Sequence, residues 1–246
     1  MKIVASNYGT LCIADKEVLF KKLLELLRGV CYTTAEHPAC IGLSGGSTPK
    51  AFYRWCVEGQ KLSSALMSKV LWAVSDERCV PLAHSASNFG VADRLLLQPL
   101  GVPASAKLPW LVDGLPPSAA AGFNLSWRKR FGPTAGFNLC LLGMGDDGHT
   151  ASLFPGSPLL SVHLQEGFAA VGVPGKGWRL TVTPAGLSRC SQIVVNVQGG
   201  GKATALKEVI QGPFKPVNLP IQVLRECADR VVWLVDTEAA VGLEDV

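Results

Sequence analysis

The chain has 246 residues, of which 48% are hydrophobic, and its formal net charge at pH 7 is +4. A chain of this length buries about 70–75% of its unfolded surface in one core. No polar linker or charge block divides the sequence, so we expect a single domain over residues 1–246. The small net charge suits an anionic small molecule and argues against a nucleic-acid-binding protein, because the basic run Arg128-Lys129-Arg130 stands alone and is typical of a solvated helix end.

The eight cysteines are scattered, and none forms a CxxC pair. Several lie in apolar runs, which favours buried reduced thiols in a cytosolic protein over disulfides or zinc ligands. Residues 1–14 lack the basic region and continuous apolar core of a secretory signal, and no apolar run approaches the ~18 residues of a membrane span. We therefore expect a cytoplasmic protein without a membrane segment.

Apolar runs that alternate with amphipathic segments predict an α/β fold. From the start of the chain we predict a helix over 16–28 capped by Asp15 and closed by Gly29, a strand over 40–43, a helix over 50–58 with Pro49 in its first turn, a strand over 69–74, and helices over 89–96 and 119–130. There follow strands over 137–142 and 178–182, a helical turn over 184–188, a strand over 191–197, a helix over 203–210 and a strand over 230–235. This order favours a mostly parallel sheet with helices on both faces.

A loop rich in glycine and hydroxyl groups, Ser44-Gly45-Gly46-Ser47-Thr48, joins the strand over 40–43 to the next helix. Backbone N–H groups and hydroxyls converge at such a helix N-terminus, which is also the positive end of the helix dipole. We therefore expect four residues to hold the phosphate of a sugar phosphate: Gly45, Gly46, Ser47 and Thr48.

The same loop matches GxSxG, the nucleophile elbow of α/β-hydrolases, with Ser44 as the nucleophile. Such a serine needs an acid and a histidine later in the chain, and His149 or His163 could supply the histidine. An elbow needs one exposed serine, whereas the hydroxyl groups here continue through Ser47 and Thr48. We therefore favour the phosphate interpretation.

Charged residues follow the predicted strand over 69–74 in the sequence Ser75-Asp76-Glu77-Arg78. A charged side chain is costly inside a parallel sheet, so we expect these residues at the edge of the sheet where ligands bind. The fork-shaped guanidinium of Arg78 suits a phosphate. A solvated turn with an ion pair is the alternative interpretation for each of them.

The strand over 137–142 ends in Gly143-Met144-Gly145-Asp146-Asp147-Gly148-His149, which we expect to be the centre of the site. Glycines let the backbone approach a ligand, and Asp147 and His149 add a carboxylate and an imidazole at the carboxyl end of a strand. The stretch also matches the dinucleotide pattern GxGxxG. That fingerprint needs a helix at its third glycine, and Pro155 and Pro158 follow too closely for one.

A second glycine-rich turn, Gly199-Gly200-Gly201-Lys202, precedes the helix predicted over 203–210. A lysine at the start of a helix opposes the helix dipole. A bound anion therefore explains Lys202 better than helix stability does.

Five ordered motifs together resemble the 6-phosphogluconolactonase family. They are Gly42-Leu43-Ser44-Gly45-Gly46-Ser47-Thr48-Pro49, Ser75-Asp76-Glu77-Arg78 with Pro81 and Ser87-Asn88, Gly143-Met144-Gly145 with residues 147–155, Arg179-Leu180-Thr181, and Gly201-Lys202-Ala203. The resemblance implies a modified Rossmann-like fold, shared with glucosamine-6-phosphate deaminases and ribose-5-phosphate isomerases. It also implies hydrolysis of 6-phosphoglucono-1,5-lactone to 6-phosphogluconate, a step of the oxidative pentose phosphate pathway that needs no metal or other cofactor. We expect a monomer whose partner is the sugar-phosphate substrate.

The resemblance assigns roles to these residues. His149 would act as the general base on water, and Asp147 would orient it, with a structural role in capping the loop as the alternative for Asp147. Asp76 would contact sugar hydroxyls or position the water. The phosphate would lie between the loop over residues 45–48 and three basic residues: Arg78, Arg179 and Lys202. Backbone N–H groups of the glycine-rich turn or a nearby arginine would stabilise the oxyanion.

Two other functions remain open. In the related deaminases and isomerases a glutamate stands just before Pro-Gly, but here Phe154 precedes Pro155-Gly156. Those enzymes also tend to have Asp-Glu-Tyr where this chain has Asp-Glu-Arg78. The third function is a non-catalytic sugar-phosphate sensor, which would not need His149 or Asp147.

Overall fold

The strands and helices alternate along most of the chain in a computed structural model that describes residues 1–32, 39–162 and 164–243. The strands are β1 (Lys2–Ser6), β2 (Gly9–Ile13), β3 (Cys40–Leu43), β4 (Leu71–Val74), β5 (Asp76–Arg78), β6 (Leu139–Gly143), β7 (Phe168–Val173), β8 (Gly177–Val182), β9 (Ile193–Val197) and β10 (Val231–Val235). The α-helices are α1 (Lys16–Tyr32), α2 (Ser47–Glu58), α3 (Ser64–Met67), α4 (Asn88–Ala92), α5 (Pro116–Phe131), α6 (Pro184–Ser188) and α7 (Ala203–Gln211). A π-helical segment, Asp93–Leu97, continues α4, and 3-10 segments lie at Ala104–Ala106, Pro158–Leu160, Gly200–Lys202 and Pro220–Arg230.

The larger sheet has the strand order β1-β2-β10-β9-β6-β3-β4. Only the pairing of β1 with β2 is antiparallel, and the other five neighbouring pairs are parallel. Every residue of the inner strands β3 and β9 is buried, so both faces of the sheet are covered there, and the edge strand β4 is fully buried as well. The prediction of an α/β fold with a mostly parallel sheet is confirmed.

A second, antiparallel sheet with the order β5-β8-β7 is not anticipated by the sequence analysis. Ser75 is the single residue between β4 and β5, and it joins the two sheets: its N–H donates to the Leu43 carbonyl, and its carbonyl accepts from the Val182 N–H. Because β5 has only three residues, all charged, neither length nor hydrophobicity indicates a strand there. This sheet carries Asp76 and Arg78 on β5.

Three other predictions need correction. The hairpin of β1 and β2 is missed, although β2 lies parallel to β10 in the main sheet. The first helix does not end at Gly29 but continues to Tyr32, because Cys31 is buried on the same face as Leu27. The second helix begins at Ser47, so the loop that precedes it is shorter than predicted.

All eight cysteines have free thiols, and seven of them are buried and Cys79 half-buried, so the prediction of buried cysteines is confirmed for seven. Burial raises the pKa of Cys31 to about 11, so this thiol is protonated at neutral pH. Among the described residues, no helix is both long and apolar enough to cross a membrane.

Candidate active site

The carboxyl ends of parallel strands in the main sheet open into a cavity of about 250 Å³. Eight of the ten predicted site residues line it: Gly45, Gly46, Ser47, Thr48, Asp76, Arg78, His149 and Lys202. The other two, Asp147 and Arg179, lie behind lining residues and contact or adjoin them. One edge of the sheet thus collects residues separated by more than 150 positions in the sequence.

The loop between β3 and α2 forms one wall. Tyr53, which is 1% exposed, braces it: the phenol accepts from the Ser44 N–H at 3.2 Å and donates to the Ser44 carbonyl at 2.8 Å. Gly46 has φ of 102° and leads directly into α2, whose first-turn N–H groups lack intrahelical acceptors. A Cβ on Gly45 would lie 2.0 Å from Oδ1 of Asn88, so only glycine allows this close approach. The wall is therefore rigid and presents backbone donors.

The nucleophile-elbow interpretation of this loop receives no geometric support. The Ser44 hydroxyl donates to the Gly45 carbonyl at 3.4 Å, and no hydrogen bond joins it to His149 in the part of the chain that the structure describes. His163, the other candidate base, lies outside the described residues. The described geometry favours the phosphate interpretation.

A buried carboxylate, Glu77, holds the second wall together. It is 0% exposed and accepts hydrogen bonds from the backbone N–H groups of Arg78, Asn88 and Phe89 at 2.6–2.8 Å. It also accepts from the Ser87 hydroxyl at 2.9 Å. Burial raises the pKa of Glu77, while these hydrogen bonds oppose that shift. Glu77 thereby fixes the start of α4 against β5.

Asn88 connects the two functional residues of this wall. Its amide oxygen accepts from Nη1 of Arg78 at 2.7 Å, and its amide nitrogen donates to Oδ1 of Asp76 at 3.2 Å. The other Asp76 oxygen accepts from the Ser152 hydroxyl at 2.7 Å. Burial raises the pKa of Asp76, partly offset by the Ser152 hydrogen bond and by nearby basic groups. Asp76 therefore lies in a prearranged network with an oxygen still able to accept a further donor.

Arg179 stands opposite Arg78 in the pairing of β5 with β8. Its guanidinium donates to the carbonyls of Lys176 and Trp178 rather than into the cavity. Burial and the positive charge of Arg78 lower the pKa of Arg179. The structure therefore places a second guanidinium beside Arg78, on a residue that does not itself line the cavity.

The loop after β6 closes on itself and presents His149. The Gly145 N–H donates to the His149 carbonyl at 2.8 Å, and the Gly148 N–H, at φ of 72°, donates to the Gly145 carbonyl at 3.1 Å. A Cβ on Gly145 would lie 1.9 Å from Nδ1 of His149 and 2.6 Å from Oδ1 of Asp147. A side chain at residue 145 is therefore incompatible with this arrangement. No α-helix starts at Gly148, in agreement with the argument against a dinucleotide site.

Asp147 contacts His149 twice. Its Oδ1 accepts from the His149 backbone N–H at 3.0 Å and lies 2.5 Å from Nδ1 of the ring. Partial burial works to raise the pKa of Asp147, but the hydrogen bonds and charge of His149 outweigh it, so this pKa is lowered. With Nδ1 engaged, Nε2 is the ring nitrogen left for other partners. One face of the imidazole is covered by Phe154, whose ring stacks on it at a centroid distance of 4.3 Å.

Lys202 forms an ion pair with Asp146, which lies in the same loop as His149. The Lys202 side chain is 28% exposed and that of Asp146 is 77% exposed, so the pair lies at the mouth of the cavity. The anion expected beside Lys202 is thus supplied by the chain itself. An ion pair with one partner this exposed is weakly stabilising.

The sequence does not predict several residues of the site. Asn88 and Ser152 belong to the family motifs but have no predicted role, and neither does Glu77. Asn196 and Gln198 also line the cavity, at the carboxyl end of β9. Only Asn196 left a recognisable signal, since it interrupts the apolar run Ile-Val-Val-Asn-Val. Among the described residues there is no cluster of three or more His, Cys, Asp or Glu that could hold a metal.

The fold and the cavity define an α/β protein with a glycine-rich helix N-terminus and a histidine–carboxylate pair at one edge of a parallel sheet. A family model described as glucosamine-6-phosphate isomerases/6-phosphogluconolactonase matches residues 14–233. The chain therefore belongs to the glucosamine-6-phosphate isomerase/6-phosphogluconolactonase family.

Individual relatives agree with this assignment. The 6-phosphogluconolactonase of Synechocystis sp. is 31% identical over 247 aligned residues, which cover 94% of this chain and 96% of that protein. The structure of 6-phosphogluconolactonase from Trypanosoma cruzi has a TM-score of 0.83 at 24% identity, covering 98% of both chains. A monomeric glucosamine-6-phosphate deaminase has a TM-score of 0.75 at 17% identity, covering 95% of this chain and 99% of that one. The shared fold alone therefore does not distinguish the two activities.

Proposed function

We infer that this chain hydrolyses 6-phosphoglucono-1,5-lactone to 6-phosphogluconate, as part of the oxidative pentose phosphate pathway. The observation that carries the proposal is the contact between His149 and Asp147 beside a cavity whose opposite wall is the N-terminus of α2. A base and an anion-binding wall across one small cavity suit a substrate that carries a phosphate and a hydrolysable ester. The proposed chemistry uses side chains and backbone groups of this chain without a metal or other cofactor.

The substrate phosphate binds the wall formed by Gly45, Gly46, Ser47 and Thr48. Arg78 and Lys202, which line the same cavity, neutralise its charge. Lys202 exchanges Asp146 for the phosphate, and Arg179 adds positive charge from behind Arg78. Binding energy from this remote phosphate orients the reacting carbonyl, so its loss lowers turnover as well as affinity.

His149 acts as the base. Its Nε2 takes a proton from water as the water oxygen attacks the lactone carbonyl, and the carbonyl oxygen becomes an oxyanion. The bond between the carbonyl carbon and the ring oxygen then breaks, and His149 returns the proton to that oxygen. Asp147 stabilises the charged imidazole through Nδ1, and a positioned imidazole base contributes about 10²–10⁴-fold to the rate.

Arg78 keeps guanidinium N–H groups available for the phosphate. Its hydrogen bonds to Asn88 and Ala86 both come from Nη1. We therefore assign Nη2 of Arg78 to the phosphate, and we assign Asp76 to a sugar hydroxyl through its remaining acceptor capacity.

Phe154 favours the lactonase over the deaminase. Where the related deaminases have a glutamate as the partner of the catalytic histidine, this chain has an aromatic ring stacked on His149. Ring opening and proton transfer on an amino sugar need that carboxylate, whereas hydrolysis of a lactone needs one base and water. The residue at position 154 is therefore our ground for preferring the lactonase reaction.

The direct test is hydrolysis of freshly prepared lactone, coupled to 6-phosphogluconate dehydrogenase and corrected for spontaneous opening. We expect the protein to exceed the spontaneous rate and to release no ammonia from glucosamine 6-phosphate. A lactone rate equal to the background, or ammonia release from the amino sugar, would contradict the proposal.

We also propose that residues 1–246 act as one domain and as a monomer in the cytoplasm. Eight free cysteines are typical of a reducing compartment. Sedimentation at micromolar concentration tests the monomer, for which we expect one species of 26.1 kDa. Nucleic acid is not an expected partner, and a filter-binding assay with duplex and single-stranded DNA tests that expectation.

A further inference from the structure

Two amide side chains in the cavity lack the partners that buried amides normally have. Asn196 is 8% exposed, and its Oδ1 has no hydrogen-bond partner among the described residues. Nε2 of Gln198 is likewise buried without a partner. Buried polar groups are nearly always hydrogen-bonded, and leaving one unpaired is destabilising. Two such groups side by side in one cavity indicate a missing ligand.

The position of these amides identifies which part of a ligand they face. Asn196 is the fourth residue of β9 and is paired in register with Gly143, at the end of β6. Gln198 follows β9 directly, and both residues line the cavity together with His149. Lys202, four residues after Gln198, lines the same cavity, and α2 packs against β9. The amides therefore lie near both His149 and the phosphate-binding groups, so they face the sugar ring that joins the phosphate to the reacting carbonyl.

Their chemistry identifies the ligand group. A carboxamide carries both an acceptor and donors, and rotation about its terminal torsion presents either one. It therefore matches a hydroxyl, which also donates and accepts, and adds no charge that would bind phosphate. Sugar-phosphate lactones carry several ring hydroxyls. A site that bound only the phosphate would not fix the orientation of the sugar ring.

We propose that Asn196 and Gln198 form a hydroxyl-binding subsite that recognises the sugar ring and sets its orientation relative to His149. The proposal deepens the lactonase assignment and rests on it for the identity of the sugar. On this view, the unpaired amides lower the stability of the protein and are satisfied when the polyhydroxylated substrate binds.

The test compares two competitive inhibitors in each variant, 6-phosphogluconate and inorganic phosphate. Asn196→Leu keeps the approximate size of the side chain and removes its hydrogen bonds. We expect the inhibition constant of 6-phosphogluconate to rise roughly three- to tenfold, and that of inorganic phosphate to stay unchanged. We also expect the melting temperature of this variant to equal or exceed that of the wild type, because an unpaired buried amide has been removed.

Gln198→Leu is the second variant, and it is half-buried outside the strand, so its folding is not in question. Gln192→Leu is the matched control, since it makes the same change at the other end of β9, away from the cavity. We expect Gln198→Leu to reproduce the selective loss for 6-phosphogluconate and Gln192→Leu to change neither constant.

Three results would overturn the subsite. The first is an unchanged inhibition constant of 6-phosphogluconate in both cavity variants. The second is an equal rise in the inhibition constants of 6-phosphogluconate and inorganic phosphate. The third is a lower melting temperature of Asn196→Leu together with the same rise for 6-phosphogluconate in the control Gln192→Leu. These outcomes are distinct from failure of the lactonase assignment, which is read from wild-type turnover. If the wild type does not hydrolyse the lactone, binding of 6-phosphogluconate and of inorganic phosphate by calorimetry still tests the subsite.

Discussion

The carboxylates in and around the cavity lie in two opposite environments. Asp147 is about half exposed, contacts His149, and has a lowered pKa. Asp76 and Glu77 are buried, accept hydrogen bonds from several donors, and have raised pKa values. The proposed function predicts different roles for them: the exposed carboxylate supplies charge to His149, and the buried carboxylates hold hydrogen-bonded positions in the wall.

The strongest test of this comparison is removal of the base itself. His149→Gln keeps a polar side chain of similar length but cannot take a proton from water. We expect kcat to fall about 10²–10⁴-fold, with KM little changed, in the coupled lactone assay. Binding of 6-phosphogluconate should persist in calorimetry. Turnover near the wild-type level would mean that another group activates the water.

Adding a side chain next to the His149–Asp147 pair should have the next largest effect on kcat. A Cβ on Gly145 would meet Nδ1 of His149 at 1.9 Å, so Gly145→Ala must displace the imidazole. A displacement of about 1 Å can cost up to about 100-fold in kcat. The control is Gly172→Ala on β7, where an added Cβ meets nothing within 4 Å. Equal activity of the two variants would show that the imidazole position is not critical.

Neutralising the exposed carboxylate tests its charge separately from its shape. Asp147→Asn weakens one or two charge-assisted hydrogen bonds to His149, so we expect kcat to fall about 10- to 100-fold. Because the pKa of Asp147 is lowered in the folded protein, its contribution to stability is present above its unfolded pKa and lost as the pH falls through the folded pKa. The difference in unfolding free energy between wild type and variant should therefore shrink below about pH 4. Urea titrations at several pH values measure it, and a difference that grows in acid would contradict the pairing.

Changing the buried carboxylate of Glu77 should affect the free energy of unfolding. Glu77→Gln keeps one acceptor but places an NH₂ group against donors such as the Phe89 N–H, which is expected to lower the unfolding free energy by about 1–3 kcal/mol. Glu166→Gln is the control, because Glu166 forms an exposed ion pair with Arg128 and should change stability by less than about 1 kcal/mol. Urea midpoints with unchanged slopes give both values. Equal effects would remove the special role assigned to Glu77.

The smallest expected effect concerns the charge on Asp76. Burial raises its pKa, so its contribution favours the folded state below the unfolded pKa and is lost as the pH rises through the folded pKa. Asp76→Asn removes this pH dependence. Relative to wild type, the variant should therefore gain stability as the pH rises above about 4, the ordinary pKa of an aspartate. A gain in the opposite direction would mean that Ser152 and the nearby basic groups dominate the folded-state pKa.

Sequence reasoning recovered the parts of the site that directly follow recognisable strands. The loop over residues 45–48, the turn around His149 and Lys202 all lie at ends of apolar runs, so their common edge follows from the rule for parallel sheets. Arg179 is different, because β8 pairs with β5 in a separate sheet and sets Arg179 beside Arg78, and its place in the phosphate site stays a prediction. That pairing joins residues about 100 positions apart, and local periodicity contains no information about it.

The sequence by itself determined most strands of the main sheet with their connecting helices, the glycine-rich loops at the strand ends and the chemical groups available for catalysis. These follow from local rules, because hydrophobic periodicity and backbone freedom act over a few neighbouring residues. Only the tertiary structure decided that Glu77 binds the start of α4, that Asn88 links Asp76 to Arg78, and that Phe154 stacks on His149. Those contacts depend on how separate elements pack, since side-chain hydrogen bonds and ring contacts form only where distant backbones are brought within a few ångströms.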